Sequence, residues 1–205
     1  YIAKMKETQC KLLDYLDKGD NIEEYYQNFI DIITKHKLLD DRYELQSILY
    51  LICKICDNHY RYPNFILKIE KLFQYLNNYI KKYIKNAKLF NIFKNNKAIL
   101  LILIEQQILV IDRSIIHNFS KLSYIEFFYP EIQTFLEKES KENSLKIKIN
   151  QEYKYICLKM SKIFPNGLPS DFYEKRKIGE NENFICKIIR EDSIEEFITF
   201  VNKND

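Results

Sequence analysis

The sequence predicts an all-α protein, and three features of its 205 residues carry that prediction. Apolar residues recur every three to four positions along nearly the whole chain, the period of a helix with one buried face. Gly occurs 3 times and Pro 4 times, too few for a sandwich or barrel that must turn every ~8–12 residues. Strand-like alternation is confined to 144–150, where Leu145, Ile147 and Ile149 alternate with polar residues. Hydrophobic residues make up 46% and charged residues 30%, a globular balance that excludes wholesale disorder.

The first helix is expected around Ile2 to Leu16, closing at Lys18-Gly19-Asp20, where Gly19 suits a helix C-terminus. A second opens near Asp20 with Glu23 at the capping-box offset. It carries Tyr26, Phe29, Ile30 and Ile33 on one face and ends in Lys35-His36-Lys37, cations at the negative end of the dipole. The third begins at Asp41 with Glu44 at the same offset, runs through Ile48, Leu49, Ile52 and Ile55, and breaks at Arg61-Tyr62-Pro63-Asn64. Phe65, Ile69, Leu72, Phe73, Leu76, Ile80 and Tyr83 then keep to one stripe.

After Asn86 the helices shorten. A brief one covers Leu89 to Phe93, and Asn95-Asn96 start another holding the wholly apolar run Ala98 to Ile104. Asp112 is placed to cap a helix with Ile115, Ile116 and Phe119, and Pro130 suits the first position of a helix to Lys138. Residues 139–151 form a polar linker between an N-terminal helical domain over 1–138 and a C-terminal helical section over 152–205. Within that section, Glu152 to Ile163 is helical, Pro165-Asn166-Gly167-Leu168-Pro169 is a stop, and three short helices follow over Asp171–Lys177, Phe184–Ile189 and Ser193–Val201. The fold expected is a bundle of short antiparallel helices running into a solenoid-like, ankyrin-type helix-turn-helix section.

Composition narrows function by exclusion. The net charge of +3 falls well short of a nucleic-acid-binding balance. The longest apolar run, Ala98 to Ile104, cannot cross a bilayer, which takes ~20 residues. Five cysteines (Cys10, Cys53, Cys56, Cys157, Cys186) without framework spacing read as reduced intracellular thiols. The chain opens on Tyr1 rather than Met, which leaves room for a preceding segment. Lys and Asn are abundant alongside Ile, the bias of AT-rich coding, so their number alone carries little functional weight.

No catalytic motif is present. His36, His59 and His117 are scattered, and three glycines make no phosphate cradle. Adjacent Glu23-Glu24 and Glu195-Glu196 point about 100° apart on a helix, as solvated surface does. Cys53, Cys56 and His59 have ligand-like spacing but lack a fourth donor, and on a helix the two cysteines fall beside Leu49 and Ile52 as small hydrophobes. No metal, cofactor or small-molecule substrate is therefore expected.

Charge distribution is more informative. Between Glu70 and Glu105 there is no acidic residue, yet seven lysines (Lys71, Lys81, Lys82, Lys85, Lys88, Lys94, Lys97) fall there, interleaved with Tyr75, Tyr79, Tyr83, Phe90 and Phe93. A solvated helix face in a Lys-rich chain is the plain reading. As a contact surface, Lys81, Lys82, Lys85, Lys88, Lys94, Lys97 and Tyr83 suit an acidic protein better than nucleic acid, because only 5 of the 32 basic residues are Arg. Tyr124, Phe127, Phe128 and Tyr129 form a dense cluster that is either a docking surface or a seam between helices.

Several strings resemble a known family: Asn58-His59-Tyr60-Arg61-Tyr62-Pro63-Asn64-Phe65, Leu89-Phe90-Asn91-Ile92-Phe93-Lys94, Phe172 to Asn181, and Ile185 to Ile198. Together they are similar to the helical N-terminal domain of the large ankyrin-repeat protein family of trichomonad (parabasalid) protists. The resemblance implies a helical domain that leads into an ankyrin array near Ile185 to Asn204, with no known active site and no binding residues to carry over. The sequence lacks the Thr-Pro-Leu-His tetrapeptide of ankyrin repeats. The function expected is that of a non-enzymatic scaffold or adaptor in the cytoplasm. Its partners are expected to be other proteins, with acidic cytoskeletal filaments such as tubulin as a candidate class. A nucleic-acid-binding role through Lys71–Lys97 and an enzyme without a recognisable motif are the alternatives.

Overall fold

A computed structural model describes residues 2–18, 22–59, 64–142 and 151–178. Among these the chain is helical, with ten α-helices, one 3-10 turn and no strand. The helices are α1 (Ile2–Asp17), α2 (Ile22–Lys35), α3 (Arg42–His59), α4 (Phe65–Tyr83), α5 (Asn86–Phe93), α6 (Lys97–Glu105), α7 (Leu122–Phe127), α8 (Tyr129–Glu142), α9 (Gln151–Ile163) and α10 (Phe172–Ile178). The 3-10 turn, Ile116–Ser120, precedes α7. The alternating stretch 144–150 and the expected helices over Phe184–Ile189 and Ser193–Val201 lie outside the described residues. The ankyrin-type arrangement is expected on those last two helices.

Contacts divide the chain into two units, Tyr1–Lys159 and Met160–Asp205. In the first unit α1 packs against α2, α3 and α4, while α5 packs on α3 and α6. The core is supplied by the stripes that the periodicity marks. Phe29 and Ile33 of α2, Leu45, Ile48, Leu49 and Ile52 of α3, and Ile69, Leu72, Phe73 and Leu76 of α4 are all buried. Burying one such side chain stabilises the fold by roughly 1.5–3 kcal/mol. Ile99 to Leu103 of α6 are buried on every side, as an unbroken apolar run requires.

Helix ends follow the sequence in some places and depart in others. Asp41 caps α3 through Oδ1, accepting from the backbone N–H groups of Tyr43 (2.8 Å) and Glu44 (3.0 Å). The Glu44 carboxylate takes an ion pair with Lys4 at 2.8 Å rather than the reciprocal half of a capping box, tying α3 to α1. Asn96 caps α6 by accepting from Ile99 N–H at 3.1 Å. Without a glycine, α2 ends with Lys37 in the left-handed region (φ 51°), and Leu38 N–H reaches back to Ile33 O at 2.9 Å.

Three expectations need correction. The helix opening at Pro130 starts at Tyr129 and continues to Glu142, past Lys138, because residues 139–142 hold no Gly or Pro to end it. Residues 139–142 are therefore helix rather than linker. Asp112 caps no α-helix. Its Oδ1 instead accepts from Ser114 N–H at 2.8 Å in a turn, and the segment with Ile116 and Phe119 is a short 3-10 turn followed by α7.

In the second unit the Pro165–Pro169 stop turns at Gly167 (φ 85°), whose N–H donates to Phe164 O at 3.1 Å. That conformation is open to Gly and strained for most other residues. Phe164 and Phe172 meet edge to face at 5.8 Å, and Arg176 lies over the Phe172 ring.

Candidate interaction surface

The lysine-rich stretch is not one surface. Lys81 and Lys82 lie in the last turn of α4, and Lys85 is the residue before α5, so these three share the α4–α5 corner. All three are exposed. Among the described residues none has a carboxylate within ion-pair distance. Lys82 Nζ sits 4.7 Å above the Tyr83 ring, and the Tyr83 hydroxyl, foremost among its neighbours, holds its pKa above the usual lysine value. Lys94, also exposed, stands at the other end of α5, about 12 Å away for eight residues of helix.

The remaining lysines are engaged within the fold. Lys71 pairs with Glu23 and covers the Tyr26 ring at 4.0 Å. Lys88 Nζ donates to the Tyr50 hydroxyl at 3.2 Å. Lys97 donates to Ser123 O at 2.6 Å beneath the rings of Tyr124 and Phe127, where burial pulls its pKa down. Lys97 is half-buried and ties α6 to the start of α7. Tyr83 is half-buried. With Tyr75 and Tyr79, whose rings are 6.2 Å apart, it forms a row along α4 beside the corner.

The Tyr124–Tyr129 cluster resolves into a seam. Phe119 meets Phe90 at 5.4 Å, Tyr124 at 5.5 Å and Phe128 at 5.2 Å, with Phe90, Phe119 and Phe128 buried. Tyr124 closes it by donating its hydroxyl to Lys94 O. Aromatic pairs of this geometry each add ~0.5–1.5 kcal/mol beyond their buried area.

Cys53 and Cys56 lie buried in α3. Cys53 Sγ donates to Ile92 O at 3.2 Å, joining α3 to α5, and desolvation with help from Asp57 pushes its pKa up to about 11. Desolvation drives Cys56 higher still. Both thiols are therefore protonated at neutral pH, the inert form of cysteine. Among the described residues no three His, Cys, Asp or Glu side chains converge as metal ligands. The side chain of His59 and the pair Glu195-Glu196 lie outside the described residues. His36 pairs with Glu7 at 3.1 Å, and His117 is exposed.

One polar residue inside the fold escapes composition and motif reading. Lys68 is only 5% exposed. Its Nζ donates to Leu16 O at 2.9 Å and Lys18 O at 2.7 Å, carbonyls at the C-terminal end of α1. Tyr15 returns a bond from its hydroxyl to Lys68 O at 3.0 Å. Burial lowers the Lys68 pKa. The signal was its place between Phe65 and Leu72, a lysine within an otherwise apolar stripe. No helix among the described residues is long and apolar enough to cross a membrane. No protein-family model, curated protein or solved structure matches this chain.

Proposed function

We propose that this chain is a non-enzymatic interaction module, a helical scaffold or adaptor, and that the α4–α5 corner is its contact with an acidic protein surface. The observation behind this reading is the fate of the seven lysines. Lys71, Lys88 and Lys97 are held by internal partners, whereas Lys81, Lys82 and Lys85 project together into solvent on a stretch that contains no acid. Three like charges at one corner repel one another, at a cost that an acidic partner would relieve. The adjoining Tyr75, Tyr79 and Tyr83 supply the aromatic area with polar tips that protein contacts favour. Lysine point charges suit clustered carboxylates, while the forked contacts of nucleic-acid readout favour Arg. The resemblance to the trichomonad ankyrin-repeat proteins points the same way, toward an adaptor, with acidic filaments such as microtubules as the partner to try first.

The test is co-sedimentation with microtubules, and anisotropy of a labelled polyglutamate peptide, using the parent and a Lys81→Glu, Lys82→Glu, Lys85→Glu variant. The variant should bind each at least tenfold more weakly, with an unchanged far-UV spectrum because all three side chains are exposed. Equal binding by parent and variant would remove the corner from the contact. Tighter binding of single-stranded DNA than of polyglutamate at the same salt would move the function to nucleic acid.

A further inference from the structure

A cleft of about 690 Å³ opens between α8 and the loop that follows α6, within the size range of ligand sites. Its loop wall is fixed before any ligand arrives. Asn86 holds Val110 at both backbone groups, donating to its carbonyl at 2.5 Å and accepting from its N–H at 3.1 Å. The same side chain bonds Asp112 at 2.8 Å, and Gln106 anchors the start of the loop to Glu70 O at 3.0 Å. Ile104, Ile111 and Phe135 supply apolar lining, and Val110 lies at the mouth 56% exposed.

Across this cleft Arg113 donates to both carboxylate oxygens of Glu139, from Nε to Oε1 at 3.2 Å and from Nη2 to Oε2 at 2.8 Å. The two partners are unequally placed: the Glu139 side chain is 16% exposed and that of Arg113 is 65% exposed. Arg113 stands toward solvent, whereas Glu139 is set back in the wall. The replaceable member of the pair is therefore the cation. Asp112, Glu131 and Glu139 also outnumber Arg113 and Lys138 along the lining, so the field in the cleft favours a positive guest.

We propose that this cleft receives an arginine flanked by aliphatic residues, carried on an extended segment of a partner protein, with Glu139 taking the guanidinium in place of Arg113. Arginine fits better than lysine because its planar fork reproduces the two-point contact already made there. The aliphatic neighbours cover Val110. From Glu131 to Glu139 the α8 wall is about 12 Å long, which matches about four residues of extended chain. Arg113 is then a built-in competitor for Glu139. This site is independent of the lysine corner and selects the opposite charge.

The probe is a labelled hexapeptide of alternating leucine and arginine, compared with a counterpart that has glutamate at each arginine. Anisotropy and methyl NMR of the full chain report affinity and place. The leucine–arginine peptide should bind saturably and shift the Val110 and Ile111 methyls. Glu139→Gln, which keeps the shape, should weaken it at least tenfold, and Arg113→Ala should tighten it severalfold. Absence of methyl shifts at millimolar peptide, equal affinity in Glu139→Gln, preference for the glutamate peptide, or weaker binding by Arg113→Ala would each overturn the proposal.

Discussion

Replacing Lys68 by Met keeps the length and apolar stem of the side chain and removes only its charged tip. The Leu16 and Lys18 carbonyls, which that amine reaches at 2.9 and 2.7 Å, then lose a donor at a helix end that has no N–H of its own to offer. Hydrogen bonds involving a charged group contribute about 1.5–3 kcal/mol each, which gives roughly 3–6 kcal/mol for two. Against this stands the desolvation of an amine that is 5% exposed, which Met does not suffer. Water reaching the Lys18 end recovers part of the rest. The net loss expected is about 2–4 kcal/mol, since each carbonyl left without a donor costs about 1–3 kcal/mol and the relieved desolvation offsets part of the sum. Urea unfolding followed by far-UV circular dichroism measures it. Hydrogen exchange localises it, since the last turn of α1 should lose protection while α6 does not. A Lys68→Met protein as stable as the parent would refute the reasoning, and would show that the amine is tolerated in the core rather than used there.

The thiols should separate by position: at pH 8, Cys10 should react with an aromatic disulfide reagent well before Cys53 and Cys56, which should react only on unfolding, as peptide mapping would reveal. Alkaline stability has a definite sign. Cys53 ionises at the ordinary thiol value of 9.0 in the unfolded chain but at about 11 when folded, so the unfolded state loses its proton first and stability falls as pH rises from 9 to 11. Lys68, lowered from 10.5, acts in the opposite sense below that pH. The midpoint of urea unfolding should therefore start to drop at a lower pH in Lys68→Met than in the parent. Lys37→Gly should stabilise by about 0.5–1 kcal/mol, because glycine takes the left-handed C-terminal position of α2 without Cβ strain. The same urea titration reads it.

Local information was enough for what depends on neighbours in the chain. The stripe from Phe65 to Tyr83, the caps at Asp41 and Asn96, and the stop at Pro165–Pro169 follow from helix period, backbone capping and proline geometry, and the helices form where those signals stand. What required tertiary structure was the partner of each polar side chain. Seven lysines read alike along the chain, yet Glu23, Tyr50 and Ser123 take three of them, from residues 26 to 48 positions distant. The Tyr124–Phe128 cluster became a seam because Phe90 and Phe119 meet it from elsewhere in the chain. Asn86 and Val110 are 24 residues apart, so their bonds and the cleft they shape leave no periodic trace. A helix is decided by contacts within about four residues, and a binding surface by which distant segments fail to cover it.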